Sequence, residues 1–275
     1  MVSSTIFVQI AAYRDPDLPA TLHNLIQRAA QPDRLRFGIC LQLEADDPPH
    51  WGTSAFPDHP ELEIIRFDAA ESRGACWARR QAQSVYGGED FLLQIDSHMR
   101  AVKHWDDLLL TTWRECSDER AVLSVYPNGF QQPCRLQTST LPVMAAASFD
   151  AYGILKLRGI SRFKLPEEQP DGPIPGAFIA GGFLFGPGSI VSDVPYDPDL
   201  LRLPCRHDYG LRVSTSTPQI ACCCFISTRQ NIQIKSMQPP IGEITAIGTI
   251  TIFVHSNVYT HCSAVSTTHR HQSAA

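Results

Sequence analysis

Short apolar runs alternate with amphipathic stretches through the first half of the chain. Residues 5–12 are a β-rich run that stops at Tyr13-Arg14-Asp15-Pro16, which predicts a strand followed by a loop. Asp17 or Thr21 then opens an amphipathic helix, with Leu22, Leu25 and Ile26 on one face and Ala29 and Ala30 continuing it, until Pro32-Asp33-Arg34 ends it. Residues 35–43 read as a second strand, the Pro- and Asp-rich stretch 45–60 as a loop, and 62–67 as a third strand. A helix over 73–86 carries Ala75, Ala78, Ala82 and Val85 at helical spacing. Strands at 89–95 and 121–126 flank a helix at 105–116. This strand–helix alternation predicts an α/β fold, a mostly parallel twisted sheet with helices on both faces, Rossmann-like in plan.

Beyond residue 126 the pattern weakens. Residues 127–175 are rich in Pro, Gly and Gln and read as irregular, with a strand around Leu155. Residues 177–186 are apolar and laden with glycine, which points to close approach of a backbone or ligand. After Leu201 the character changes. Residues 202–275 hold six basic and two acidic side chains, against 17 and 26 in residues 1–201. Five of the nine cysteines fall there, with Ser/Thr clusters and no helical period. A run at 244–254 has β-character without a matched partner. Two units are therefore expected: an α/β domain over 1–201 and an atypical tail over 202–275.

One strand end carries candidate chemistry. The apolar run 91–95 stops at Asp96-Ser97-His98. In open α/β sheets, ligands sit beyond the carboxyl ends of strands. Two residues apart in extended chain point to the same side, so a carboxylate and an imidazole there can grip one divalent cation. An Asp at a strand end is also a common turn former or helix cap, and that reading stands beside the first. Trp77 reads as a packing residue, His104 as a surface histidine, and Trp105 and Asp106 as the start of a helix.

Composition removes several classes. A 43% hydrophobic and 19% charged chain suits a soluble globular protein. A net charge of −5 without a basic stripe argues against nucleic acid as a partner. The apolar runs are too short to span a membrane, and residues 1–12 lack the basic and apolar regions of a secretory signal. The cysteines are scattered and no CxxC pair occurs, so reduced thiols and a cytoplasmic location are expected.

Four blocks, taken in order, go further. They are Phe7-Val8-Gln9-Ile10-Ala11-Ala12-Tyr13-Arg14-Asp15-Pro16, Arg73-Gly74-Ala75-Cys76-Trp77-Ala78-Arg79, Gln94-Ile95-Asp96-Ser97-His98-Met99-Arg100, and Ala180-Gly181-Gly182-Phe183-Leu184-Phe185 with Val194-Pro195-Tyr196-Asp197-Pro198. Together they resemble the GlcNAc-transferase family that includes the cytosolic polypeptide (hydroxyproline) N-acetylglucosaminyltransferase. The resemblance covers about residues 5–201. It implies a GT-A fold, a UDP-sugar donor such as UDP-GlcNAc, a protein or glycan acceptor, and a divalent metal, Mn2+ or Mg2+. It makes Asp96 and His98 the metal ligands of a DxH motif, and places Tyr13, Arg14, Asp15, Arg73, Arg79, Gln94, Gly181 and Gly182 around the donor. A metal acting as Lewis acid on a departing diphosphate fits that chemistry. Bland readings remain open for several of these: a turn salt bridge for Arg14 and Asp15, a solvated helix face for Arg73 and Arg79, a tight turn for Gly181 and Gly182.

The likeness stops near Leu201. Relatives continue with an acidic pair and a helix, whereas here Arg202-Leu203-Pro204-Cys205-Arg206-His207-Asp208 follows. The tail histidines His255, His261, His269 and His271 stand in Ser/Thr-rich sequence and receive no ligand role. The rival function is thus an inactive nucleotide-sugar binder without the acceptor-side carboxylate. A metal-dependent hydrolase would need further ligands, and residues 1–201 show none at metal spacing. Simultaneous loss of family likeness, charge and periodicity at one place is what a displaced reading frame produces; a true lineage-specific tail is the rival explanation. Translating the coding DNA in a shifted frame from near codon 201 then restores an acidic pair and an amphipathic helix; two shifted frames without them refute it.

Overall fold

The computed structural model describes residues 4–131 and 178–196 without a break, together with 135–136, 141–149, 151, 155–162, 172–176, 222–225 and 235–236. The elements in chain order are β1 (Ile6–Tyr13), α1 (Leu18–Arg28), β2 (Leu35–Leu43), β3 (Leu62–Asp68), α2 (Ala75–Ala82), β4 (Phe91–Asp96), β5 (Met99–Arg100), α3 (Trp105–Glu115), β6 (Ala121–Ser124), β7 (Phe130–Gln131), β8 (Arg135–Leu136), β9 (Leu141–Phe149), β10 (Leu155–Arg162), β11 (Ile174–Gly176), β12 (Phe183–Pro187), α4 (Ile190–Asp193), β13 (Cys222–Phe225) and β14 (Lys235–Ser236).

An eight-stranded sheet runs β11-β13-β6-β12-β4-β1-β2-β3. The pairs β1–β2, β1–β4, β2–β3 and β6–β13 are parallel. β12 is antiparallel to both β4 and β6, and β11 to β13. The expected α/β sheet is present, mixed rather than uniform. Central strands buried on both faces read as continuous apolar runs, which is why β1 and β4 stand out in the sequence. On one face Ile6, Val8, Ile10, Leu93, Ile95, Phe183 and Phe185 pack against Leu18, Leu22 and Leu25 of α1 and Trp105 and Leu109 of α3. On the other, Cys40 packs with Trp77, Ala78 and Ala82 of α2, while Phe7, Leu92 and Leu184 pack with Ile190 and Val191 of α4. Trp77 is a packing residue, edge-on to Phe67 with ring centroids 4.7 Å apart.

Several expected boundaries shift for local reasons. The helix expected over 73–86 is α2 plus a 3-10 turn at Gln83–Val85. It starts late because Gly74, with φ of 101°, holds a left-handed conformation at its N-cap. The stretch expected to be irregular holds a hairpin, β9 antiparallel to β10, where one strand around Leu155 was expected. Two segments of residues 202–275 pair with the rest: Cys222–Phe225 lies beside β6, and β14 beside β5. The β-run expected at 244–254, the tail histidines and most of the remaining tail lie outside the described residues. Among the described residues no helix is long and apolar enough to cross a membrane.

Asp106 anchors the two residues that follow the C-cap of α1. Its fully buried carboxylate accepts from the backbone N–H groups of Ala30 at 2.6 Å and Gln31 at 3.0 Å. Arg34 stands 3.6 Å away. Arg34 keeps its bond to Asp107 Oδ1 at 2.9 Å, but removing the carboxylate strands two backbone donors, so Asp106→Ala lowers unfolding free energy by about 3 kcal/mol in a urea titration.

Candidate functional site

β1 and β4 lie side by side in parallel, with Ala11 opposite Asp96, so both carboxyl ends open at the same edge. β12 comes down antiparallel on the other flank of β4, Phe183 opposite Ile95. The turn that feeds β12 therefore arrives at the tip of β4. Asp96, Asp15, His98 and Gly181-Gly182 converge there.

The turn touches Asp96 directly. A Cβ on Gly182 would lie 2.5 Å from the Asp96 Oδ2 atom, so only glycine allows this approach. Arg79 reaches across from α2: its Nη2 donates to the Gly181 carbonyl at 3.0 Å and lies 3.4 Å from Asp96 Oδ1. Gln94 donates from Nε2 to the same carbonyl at 2.9 Å. Its Oε1 accepts from the Tyr196 hydroxyl at 2.6 Å and from Gln9 Nε2 at 3.1 Å.

β4 ends at Asp96 and the chain bends at Ser97 and His98. Strict extended alternation does not carry Asp96 and His98 to one side; the bend and its partners set their placement. Asp15 Oδ2 takes the Ser97 hydroxyl at 2.5 Å and His98 Nδ1 at 2.8 Å, and Asp15 Oδ1 takes the Asp17 N–H at 2.9 Å. A ring donating from Nδ1 keeps its lone pair on Nε2, the arrangement in which a carboxylate orients a metal-binding histidine. Burial works to lower the His98 pKa, but the hydrogen bond to Asp15 and the charges of Asp96, Asp15 and Asp17 outweigh it and raise it. Burial works to raise the Asp15 pKa, and hydrogen bonds from His98, Ser97 and the Asp17 backbone prevail and lower it.

α1 clamps the same segment through a polar stripe. Arg100 forms a buried fork with Asp17, Nη1 to Oδ2 and Nη2 to Oδ1 each at 2.7 Å. The Thr21 hydroxyl donates to the Ser97 carbonyl at 2.7 Å and accepts from Met99 N at 3.0 Å. Asn24 Oδ1 accepts from Ala101 N at 2.7 Å. Asp17 stands at the helix N-cap position but its carboxylate caps nothing; it serves Arg100.

Of the side chains singled out in the sequence, Asp15, Arg79, Gln94, Asp96, His98, Gly181 and Gly182 come together. Tyr13 is exposed at the end of β1, and Arg73 is exposed just before α2. Arg14 turns to the loop after β2, 2.8 Å from Glu44 Oε1 and 2.7 Å from Asp47 Oδ1, with a left-handed φ of 47°. Ser97, Thr21, Arg100 and Tyr196 were missed. The polar spacing Asp17, Thr21, Asn24 along α1 was a visible signal for the first three; Tyr196 lay inside a quoted block without a role.

Asp96 and His98 remain partly exposed, at 35% and 37% of their side chains. Among the described residues no group of three or more His, Cys, Asp or Glu side chains gathers as a metal site. The pair nonetheless fits half of one: a carboxylate and an oriented imidazole, both reachable, with the remaining positions open to phosphate oxygens and water.

The mixed, mostly parallel sheet flanked by helices matches that of GT-A glycosyltransferase structures. The solved structure of GalNAc-T7 with UDP, GalNAc and Mn2+ shares it, with a TM-score of 0.58 and 13% identity over 88% of this chain and 44% of that one. S. aureus TarS 1-349 in complex with UDP-GlcNAc aligns with a TM-score of 0.49 and 11% identity, over 87% of this chain and 60% of that one. This chain thus spans under half of the GalNAc-T7 chain. No curated protein matches it in sequence. The GlcNAc glycosyltransferase family model matches residues 5–61 and 58–203, and the chain belongs to that family.

The Asp15–His98 pair makes apo stability depend on pH in two directions. A raised His98 pKa contributes stability that is complete below its unfolded value, about 6.5, and is lost as pH rises through the folded value. A lowered Asp15 pKa contributes stability that is complete above about 3.9 and is lost as pH falls through the folded value. The Tm gap between the parent and Asp15→Asn, followed without metal across pH, is therefore widest near pH 5 and narrows above pH 7.

Proposed function

We propose that this chain transfers a sugar, GlcNAc, from a UDP-sugar to a protein or glycan acceptor, with Mn2+ or Mg2+ held by Asp96 and His98. The observation that carries the reading is the tip of β4, where a half-exposed Asp96 and an imidazole oriented by Asp15 meet at the edge where α/β sheets bind ligands. The family membership and the UDP and Mn2+ of the GalNAc-T7 structure support it.

A divalent cation there supplies charge neutralisation for the diphosphate that leaves the sugar. The chain's own residues do the positioning. Asp15 holds the His98 ring. Arg79 holds Asp96 and the Gly181 carbonyl from below, buried to 3% exposure. Gly181 and Gly182 bring backbone alone to the donor side of Asp96. Tyr13, exposed at the end of β1, and Arg73, exposed just before α2, are placed to meet the nucleotide, Arg73 with a fork suited to phosphate. Arg14 contributes through the loop it ties to Glu44 and Asp47 rather than as a phosphate ligand. Cytoplasmic location belongs to the same proposal.

The rival reading, a donor-binding remnant, rests on residues 202–208, which offer no acidic pair. Thermal shift and chemistry separate the two. UDP-GlcNAc with Mn2+ raises Tm, since a ligand bound 100-fold above its Kd adds about 2.7 kcal/mol, and Asp96→Ala abolishes the rise. A parent chain that shows no shift contradicts the proposal. A shift with neither transfer nor UDP-GlcNAc hydrolysis favours the remnant.

A further inference from the structure

Tyr196 lies in a sequence block that the proposed chemistry does not use, yet it is 2% exposed and makes one of the shortest hydrogen bonds in the described structure. Its hydroxyl donates to Gln94 Oε1 at 2.6 Å, from 102 residues away in sequence. Gln9 Nε2 donates to the same oxygen at 3.1 Å. A primary amide has an acceptor end and a donor end. Two donors on the oxygen fix which way the Gln94 amide faces, and its Nε2 must then point at the Gly181 carbonyl, 2.9 Å off. That carbonyl also takes Arg79 Nη2 at 3.0 Å, the same nitrogen that lies 3.4 Å from Asp96 Oδ1. The next residue, Gly182, is the one packed against Asp96 Oδ2.

We propose that Tyr196 is a positioning residue for Asp96. Its hydroxyl locks the Gln94 amide, the amide locks the Gly181–Gly182 backbone, and that backbone, with Arg79, sets the Asp96 carboxylate. The chain of contacts crosses the sheet from Tyr196, which follows α4, through β4 to the turn before β12. Without the hydroxyl, Gln94 keeps only the longer bond from Gln9. An amide that flips puts its oxygen against the Gly181 carbonyl, two acceptors face to face, and the turn is pushed off Asp96. Groups that orient a metal ligand from behind change metal affinity by roughly 10- to 100-fold. Tyr196 acts through an intermediate amide, so the lower end applies. The role rests on the metal site proposed above.

The test compares the parent chain, Tyr196→Phe and Gln9→Leu by two readouts. Hydrogen exchange needs no metal. In Tyr196→Phe, amides in the peptide spanning 180–184 exchange roughly tenfold faster, while those of β1 and α1 keep parental rates. Mn2+ binding in the presence of UDP, read from the free Mn2+ resonance, weakens roughly tenfold in Tyr196→Phe and by less in Gln9→Leu. Parental exchange at 180–184 in a folded Tyr196→Phe overturns the inference, as does a Mn2+ Kd within twofold of the parent. A parent that binds no Mn2+ with UDP sinks the metal site, and the exchange result then still decides whether Tyr196 sets the turn. If Tyr196→Phe does not fold, Gln94→Leu, which removes the amide through which Tyr196 acts, carries the exchange comparison: faster exchange at 180–184 supports the relay, parental exchange refutes it.

Discussion

The site depends on the direction of one strand. β12 enters the sheet antiparallel between β4 and β6. A parallel strand in that slot would bring its carboxyl end to the edge, with a loop running outward. The antiparallel strand brings its amino end instead, and with it a turn whose glycine can press on the neighbouring carboxylate. The turn's contacts follow from this: Gly182 against Asp96 Oδ2, Gly181 as the junction for Gln94 and Arg79, and Ser124, whose hydroxyl donates to the Phe183 carbonyl and accepts from Ala180 N.

The other half of the site hangs on α1. Residues 97–101 have little regular structure of their own; β5 is only two residues long. Short irregular backbone beside a core must find partners for its polar groups. Thr21 and Asn24 supply them, and Arg100 brings its charge into the same region against Asp17. One helix face thus packs apolar Leu18, Leu22 and Leu25 into the core while the adjacent stripe holds the segment that carries His98. Packing and positioning share an element, so loosening α1 would loosen the imidazole as well.

How much of this could be read from residues alone follows from the range of the forces involved. β1, β2 and β4 are legible because burial on both faces leaves uninterrupted apolar runs, a local signature. Asp96 and His98 are legible because a polar pair ending such a run sits where the fold exposes strand ends. The direction of β12 is not local: Phe183–Pro187 reads the same either way, and its partners lie about 90 residues upstream and 60 upstream in sequence. Asp17 illustrates the same limit. Before a helix it looks like a cap, and only the fold reveals Arg100, 83 residues on, as its partner. The β9–β10 hairpin was hidden because Pro142 and Gly159 disguise its strands as loop. Arg14 carried two readings in the sequence, a donor contact and a turn salt bridge, and the acidic loop after β2 folds back to make the salt bridge.

Three carboxylates crowd one sheet edge, and distance separates their tasks. Asp17 spends both oxygens on Arg100 at 2.7 Å in a buried fork, so it has nothing left to offer a ligand. Asp15 spends its oxygens on Ser97, His98 and a backbone N–H, which makes it an orienting group. Asp96 is the most open of the three, its side chain 35% exposed against 15% for Asp15 and 8% for Asp17. Arg79 approaches only to 3.4 Å, beyond a strong charge-assisted bond, and a third of the carboxylate stays open. On the proposed reading, that opening is where a cation would reach Asp96, with Arg79 steering the carboxylate from α2.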